Sequence, residues 1–312
     1  MRRAATLSVA LVAGLVLAGC GSGPSQVTSA AIVGDRSVPL DDVQQEIRWL
    51  LDNVPQAEQA KQQRKLDLQA REVVRSRVAH ELTAIAAERE GLRADPAQVT
   101  ELVETSGGAE AIARSVGVEP GRVREIATDQ ILLQQLAQRY LDRLTVSLIG
   151  TTIVTESAGS TAKEQAMELG RRIAEQPGQV RRIVRQSGHE VLDADLPLAD
   201  VIQTQPEVAA SAIFGAAEGT VLVIQPSRQQ TGWLVALVED RRVAARGDRS
   251  AATRTSPEYL YFTGLRLLQP IAEEVGVRIN PRYGVWDETA LAPAANEDEV
   301  SGYQLRSRTV QP

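Results

Sequence analysis

Apolar residues recur at helical spacing through much of the first half of the chain. Ile32 and Val33, then Gly34-Asp35 and Val38, suggest a short β-hairpin turning on the glycine. Val43, Ile47, Leu50, Leu51 and Val54 next form one stripe and predict a helix. Asp41 or Asp42 can cap it, and Pro55 ends it. A longer helix is predicted from about residue 66 to 90, closing at Gly91, with Val73, Val74, Val78, Leu82 and Ile85 near one face. Asp95-Pro96 starts another, proline taking the first helical position, and Gly107-Gly108 breaks it. Residues 109–116 form a brief helix closed by Gly117, and Glu119-Pro120 opens a long one carrying Val123, Ile126, Ile131, Leu132, Leu136 and Tyr140. Such stripes predict a helical core and no chemistry.

The period then changes. "VSLIGTTIVTES" alternates like a strand, and Thr161-Ala162-Lys163-Glu164 forms a capping box that opens a helix to about residue 176. "PEVAASAIFGAAEGTVLVIQPSRQQTGWLVALVEDRRV" reads as a helix, a glycine turn and two strands. Leu260, Phe262, Leu265, Leu268, Ile271 and Val275 restore the helical period until Gly276. Residues 288–312 carry few apolar positions and no period, which predicts a disordered tail. At the other end, "LVAGLVLAGCGSG" at residues 11–23 follows Arg2 and Arg3. A basic start, a short apolar run and a small-residue exit describe a secretory signal peptide. The run is too short for a comfortable membrane span, which needs roughly 20 apolar residues.

Composition narrows the function classes. Hydrophobic residues make up 43% of the chain, enough for a sizeable core. The formal charge is −6; without residues 1–19, which contain Arg2 and Arg3, it becomes 32 − 40 = −8. Nucleic acid is therefore not an expected partner, because phosphate neutralisation needs a basic face. Cys20 is the only cysteine, and Gly21, Ser22, Gly23 and Pro24 offer it no core to pack in.

Candidate chemistry is sparse. Ser160-Thr161-Ala162-Lys163 fits S-x-x-K, but its companions S-D-N and K-T-G do not occur, so the stretch reads as a helix cap. His80 and His189 are the only histidines. His80 lies in the long helix next to Glu81 and reads as a half-exposed helical residue. His189 lies in "QSGHEVLDADLP" with Glu190, Asp193 and Asp195, which reads as a solvated acidic loop. No metal, cofactor or catalytic residue is expected.

Three resemblances supply the rest. Leu17-Ala18-Gly19-Cys20 resembles the bacterial lipobox. That implies cleavage between Gly19 and Cys20, a diacylglycerol on the Cys20 thiol, and a mature chain of 312 − 19 = 293 residues. Residues 1–19 are then a signal peptide and residues 20–30 a lipidated tether. The protein would sit on the extracytoplasmic face of the cell membrane, anchored and not spanning.

The order of hairpin, helix, long helix, acidic-proline helix, "GG" helix and "P-x-x-V-R-x-x-I-x-x-x-I-L" resembles the N-terminal domain of SurA-like periplasmic chaperones. "V-R-I-N-P-R-Y-G-V-W" resembles the end of such chains, with Tyr283 and Trp286 as anchors. "P-E-V-x-x-x-x-I-F-x-x-x-x-G" and "T-G-W-L-V-A-L-V" resemble parvulin-type prolyl isomerase domains. The implied fold is α+β and mainly α. A helical lobe of residues 31–145 plus 256–287 is completed by the C-terminal helix, and a small parvulin-like α/β lobe of residues 146–245 is inserted. Where the parvulin resemblance expects two histidines, this chain has Thr152 and Leu234. The implied function is binding of unfolded or extended polypeptide without catalysis. The alternatives are an active prolyl isomerase with a rearranged site and a scaffolding lipoprotein for one envelope partner.

Overall fold

A computed structural model describes residues 27–154, 159–226, 232–245 and 254–308. The lipobox with Gly19 and Cys20 lies outside the described residues. The architecture is α+β and mainly helical.

The chain opens with β1 (Ser29–Val33) and β2 (Arg36–Pro39), paired antiparallel through a turn in which Gly34 takes φ +61°, a conformation that favours glycine. α1 (Leu40–Asn53) follows directly, with Pro39 at its cap position. Asp41 and Asp42 are not its caps; they lie in the first turn, where the positive end of the helix still favours them. Pro55 is the first residue of a new helix, α2 (Pro55–Gln62), which the sequence reading missed. α3 (Leu66–Glu90) closes at left-handed Gly91. α4 (Pro96–Thr105) is capped by Asp95, whose carboxylate accepts the Ala97 amide at 2.8 Å. α5 (Ala109–Val116) ends at Gly117, and a 3-10 turn at Pro120–Arg122 leads into α6 (Val123–Leu141).

The second half alternates strands and short helices: β3 (Leu144–Ile153), α7 (Ala162–Glu175), α8 (Val180–Gln186), β4 (Leu192–Pro197), α9 (Leu198–Thr204), α10 (Pro206–Ala209), β5 (Thr220–Ile224) and β6 (Trp233–Val243). α11 (Pro257–Arg266) and α12 (Gln269–Val275) then return the chain to the first helices, followed by β7 (Val277–Ile279), β8 (Val285–Asp287), β9 (Ala292–Ala294) and β10 (Gly302–Arg306). β7 pairs with β1, giving a small sheet ordered β2-β1-β7, and Asn280 holds the join by donating to the Ser29 and Ala30 carbonyls at 2.9 Å.

The larger sheet is antiparallel throughout, ordered β10-β5-β6-β3-β4. Its period-2 alternation presents two apolar faces. Ile149, Ile153, Val221, Val223, Val235 and Leu237 pack against α7 and α8. Val146, Leu148, Leu222, Ile224, Leu234 and Val238 join a core that runs on through Leu198, Ile202, Phe214 and Leu268 to Val74, Val78, Leu82 and Leu133 of α3 and α6. One continuous core therefore underlies both the sheet and the helices. A smaller cluster seals α4 and α5 against the start of α6.

Two loop expectations are corrected. "VLDADLP" contains an edge strand, β4, because β3 supplies its backbone partners and its aspartates face out, where Asp193 meets Arg181 and Asp195 meets Ser147. Nor is the tail disordered throughout: β10 adds the opposite edge strand, with Tyr303 and Leu305 packed on the α7 side. Two apolar residues sufficed once β5 provided the ladder.

Candidate functional site

A close helix–helix contact shapes one of the clefts of the molecule. α11 lies across α6 at Gly264, where an added Cβ would stand 2.1 Å from the Leu133 carbonyl oxygen. Only glycine permits that approach. It brings Tyr261, Phe262 and Leu265 over α3, and together with Leu50 of α1 and the Val116–Val118 turn they enclose a cleft of about 350 Å³. Val73, Ala79, Ile126 and Leu133 line its walls, with Gln69, Ser76 and Asp129 as polar points. Phe262 stays 43% exposed and Val116 58% exposed, and Tyr261 meets Phe262 edge-on at 5.3 Å. The periodicity placed Phe262 in a core stripe; the crossing at Gly264 instead leaves it on an open apolar wall.

A second cavity of about 80 Å³ adjoins the cleft, sharing Arg75, Ala79, Phe262 and Leu265 with it. Its remaining walls include Leu82, Leu268, Trp286 and Arg266. Arg266 is 9% exposed and donates to the Ala210 carbonyl, Gln269 Oε1 and the Thr289 carbonyl at 3.1, 2.9 and 2.8 Å. Burial pushes its guanidinium down to about 10, so it remains charged at neutral pH. Tyr283 is buried in the shared core and Trp286 packs against it.

Beside the cleft runs a polar network that sequence reasoning missed. Glu46 of α1 is fully buried and accepts from Arg122 at 2.8 and 3.0 Å and from Arg77 at 2.9 Å. Arg122 also donates to Glu125 at 2.7 Å. Burial works against the Arg122 charge, yet Glu46 and Glu125 more than offset it and raise its pKa. His80 sits 2.9 Å from Asp129 through Nδ1 and 3.8 Å from Glu125 through Nε2. The Asp129 hydrogen bond raises the His80 pKa above its ordinary value despite partial burial. His80, Glu125 and Asp129 lie close enough together to hold an ion. The ring, however, turns one nitrogen to each carboxylate, and Glu125 is engaged by Arg122. That geometry suits an imidazolium strut between α3 and α6 better than a shared metal, which needs convergent ligands. His80 is half-exposed, as expected; its partners lie 45 to 49 residues downstream and leave no local signal.

The positions read against the parvulin pattern face each other. Thr152 and Leu234 are direct partners across β3 and β6, with Thr152 exposed and Leu234 buried in the core. Leucine offers no hydrogen bond and threonine a single hydroxyl, so this pair supplies no imidazole-like donor or acceptor set. His189 follows α8, its amide bonded to the Val184 carbonyl. Thr161 and Glu164 form the reciprocal capping box of α7. Lys163 lies over the Trp233 and Tyr303 rings at 5.9 and 5.3 Å, fastening α7 to β6 and β10.

Among the described residues no helix is long and apolar enough to cross a membrane. No protein-family model matches the chain, and no curated protein matches it.

Proposed function

We propose that this protein is a lipid-anchored, extracytoplasmic holding factor of the SurA-like type, which binds extended or unfolded polypeptide without catalysis. The observation that carries the reading is the cleft under α11, where half-exposed Phe262 and Val116 flank apolar walls. Exposed apolar surface grouped in this way marks an interaction site. Holding a chain needs such a surface and no positioned acid or base. Support for the non-catalytic part is the Thr152–Leu234 pair, and support for anchoring is the lipobox-like Leu17-Ala18-Gly19-Cys20.

The protein should slow aggregation of several unrelated unfolded clients at near-stoichiometric ratio, and Phe262→Ser should weaken client binding by about four- to tenfold, since Phe262 supplies roughly half of a buried side chain's 1.5–3 kcal/mol. Xaa-Pro exchange followed by NMR should stay at its uncatalysed rate of tens to hundreds of seconds. Acceleration that survives removal of contaminating isomerases favours the rearranged-site alternative; protection of a single client only favours the scaffold.

Cys20→Ser tests the anchor by itself. The variant should either leave the membrane fraction or accumulate as uncut precursor, because one thiol is the only attachment point for the lipid. Mature-size Cys20→Ser protein that still sediments with membranes would sink the anchoring reading.

A further inference from the structure

We propose that the small cavity adjoining the cleft captures the C-terminal carboxylate of the bound polypeptide, with Arg266 and Arg75 as its cationic partners. This rests on the polypeptide-holding reading and sharpens it to chain ends.

Charge is the first argument. A guanidinium as buried as that of Arg266 is normally matched by a carboxylate, because desolvating a cation without one is costly. All three of its acceptors are neutral, and it has no ion pair among the described residues. Asp287 favours its charge from a distance. The Asp287 oxygens are already engaged, accepting from the amides of Thr289, Ala290 and Ser301. Arg75, at the junction of the two cavities, is held among the described residues only by a weak exposed contact with Glu72 at 3.4 Å. Two cations thus border one cavity, and charge-assisted bonds to a carboxylate would satisfy both.

Size and placement select the chain end over a side chain in mid-sequence. The cavity is about 80 Å³, and a single water needs about 10–15 Å³ measured in the same way. That is room for about one residue. Leu82 and Leu268, both core residues, stand among its walls, and Phe262 and Leu265 lead into it from the cleft. A polypeptide lying along the apolar cleft would reach the arginines with its last residue, and Trp286 and Leu268 would suit an apolar side chain there.

Binding of three labelled decapeptides to the full chain, read by fluorescence anisotropy, tests this. All share one apolar, aromatic-containing sequence: the first ends in a free carboxylate, the second in an amide, and the third in an amide with glutamate as the last residue. The free acid should bind at least tenfold more tightly than the amide, and Arg75→Gln should shrink that ratio severalfold. Arg266→Gln should abolish the ratio; if that variant does not fold, the acid-to-amide comparison on the unmodified protein decides alone. Equal binding of acid and amide overturns the carboxylate site and leaves the holding function standing. Equal binding of the free acid and the glutamate amide overturns chain-end selection. Failure of all three to bind overturns the holding reading and this inference with it.

Discussion

Glu46→Ala is expected to destabilise the protein by about 3 kcal/mol, the lower end of the range for removing one partner of a buried ion pair. Glu46 is fully buried between Arg77 and Arg122, whose side chains are 16% and 7% exposed. Deleting it leaves two guanidinium groups facing each other across α1, α3 and the start of α6. Arg122 keeps Glu125, which limits the loss. Glu46→Gln, which retains acceptor capacity and loses the charge, should cost less. Urea denaturation should show the midpoint falling with an unchanged slope, the sign of lost stability in an otherwise intact native state. A loss below about 1 kcal/mol would mean that water reaches the arginines and that the network is not a tie between these helices.

Gly264→Ala should be comparably damaging and should also remove function. Its Cβ would meet the Leu133 carbonyl oxygen at 2.1 Å, and that atom belongs to the α6 backbone, so no rotamer change relieves the clash. α11 must shift as a unit. Overpacking of this kind costs typically 1–3 kcal/mol, and a rigid neighbour places it at the upper end. Tyr261, Phe262 and Leu265 ride on the same helix, so the cleft should open and aggregation suppression should fall with stability. Thermal melting and the holding assay, run together, check both halves. A Gly264→Ala protein with parental melting temperature and full holding activity would show that the crossing does not define the cleft.

Local chemistry made much of the helical part readable from sequence. α3 spans the residues that its stripe and Gly91 predicted, α5 lies between its two glycine breaks, and Thr161 and Glu164 cap α7 as their spacing requires. Each of these signals lies within one or two turns of the element it specifies. Where two signals competed locally, the reading failed: Pro55 ends one helix and begins the next, and the first position of α2 is where proline fits best.

What the sequence by itself determined is therefore the inventory of amphipathic helices, the alternation that builds β3, β5 and β6, and the absence of histidine at Thr152 and Leu234. Tertiary structure alone decided the rest. β4 and β10 are strands because β3 and β5 offer them backbone partners, and hydrogen bonds to a remote strand leave no imprint on apolar content. Glu46, His80 and Arg266 carry ordinary local sequence contexts; their partners come from elements many residues away, so only packing identifies Glu46 and Arg266 as buried charge sites and His80 as half of an ion pair. Phe262 occupies a position that its helical period assigns to the core. Gly264 two residues on draws α11 against α6, and this contact, set by the absence of one Cβ, leaves the ring on the wall of an open cleft.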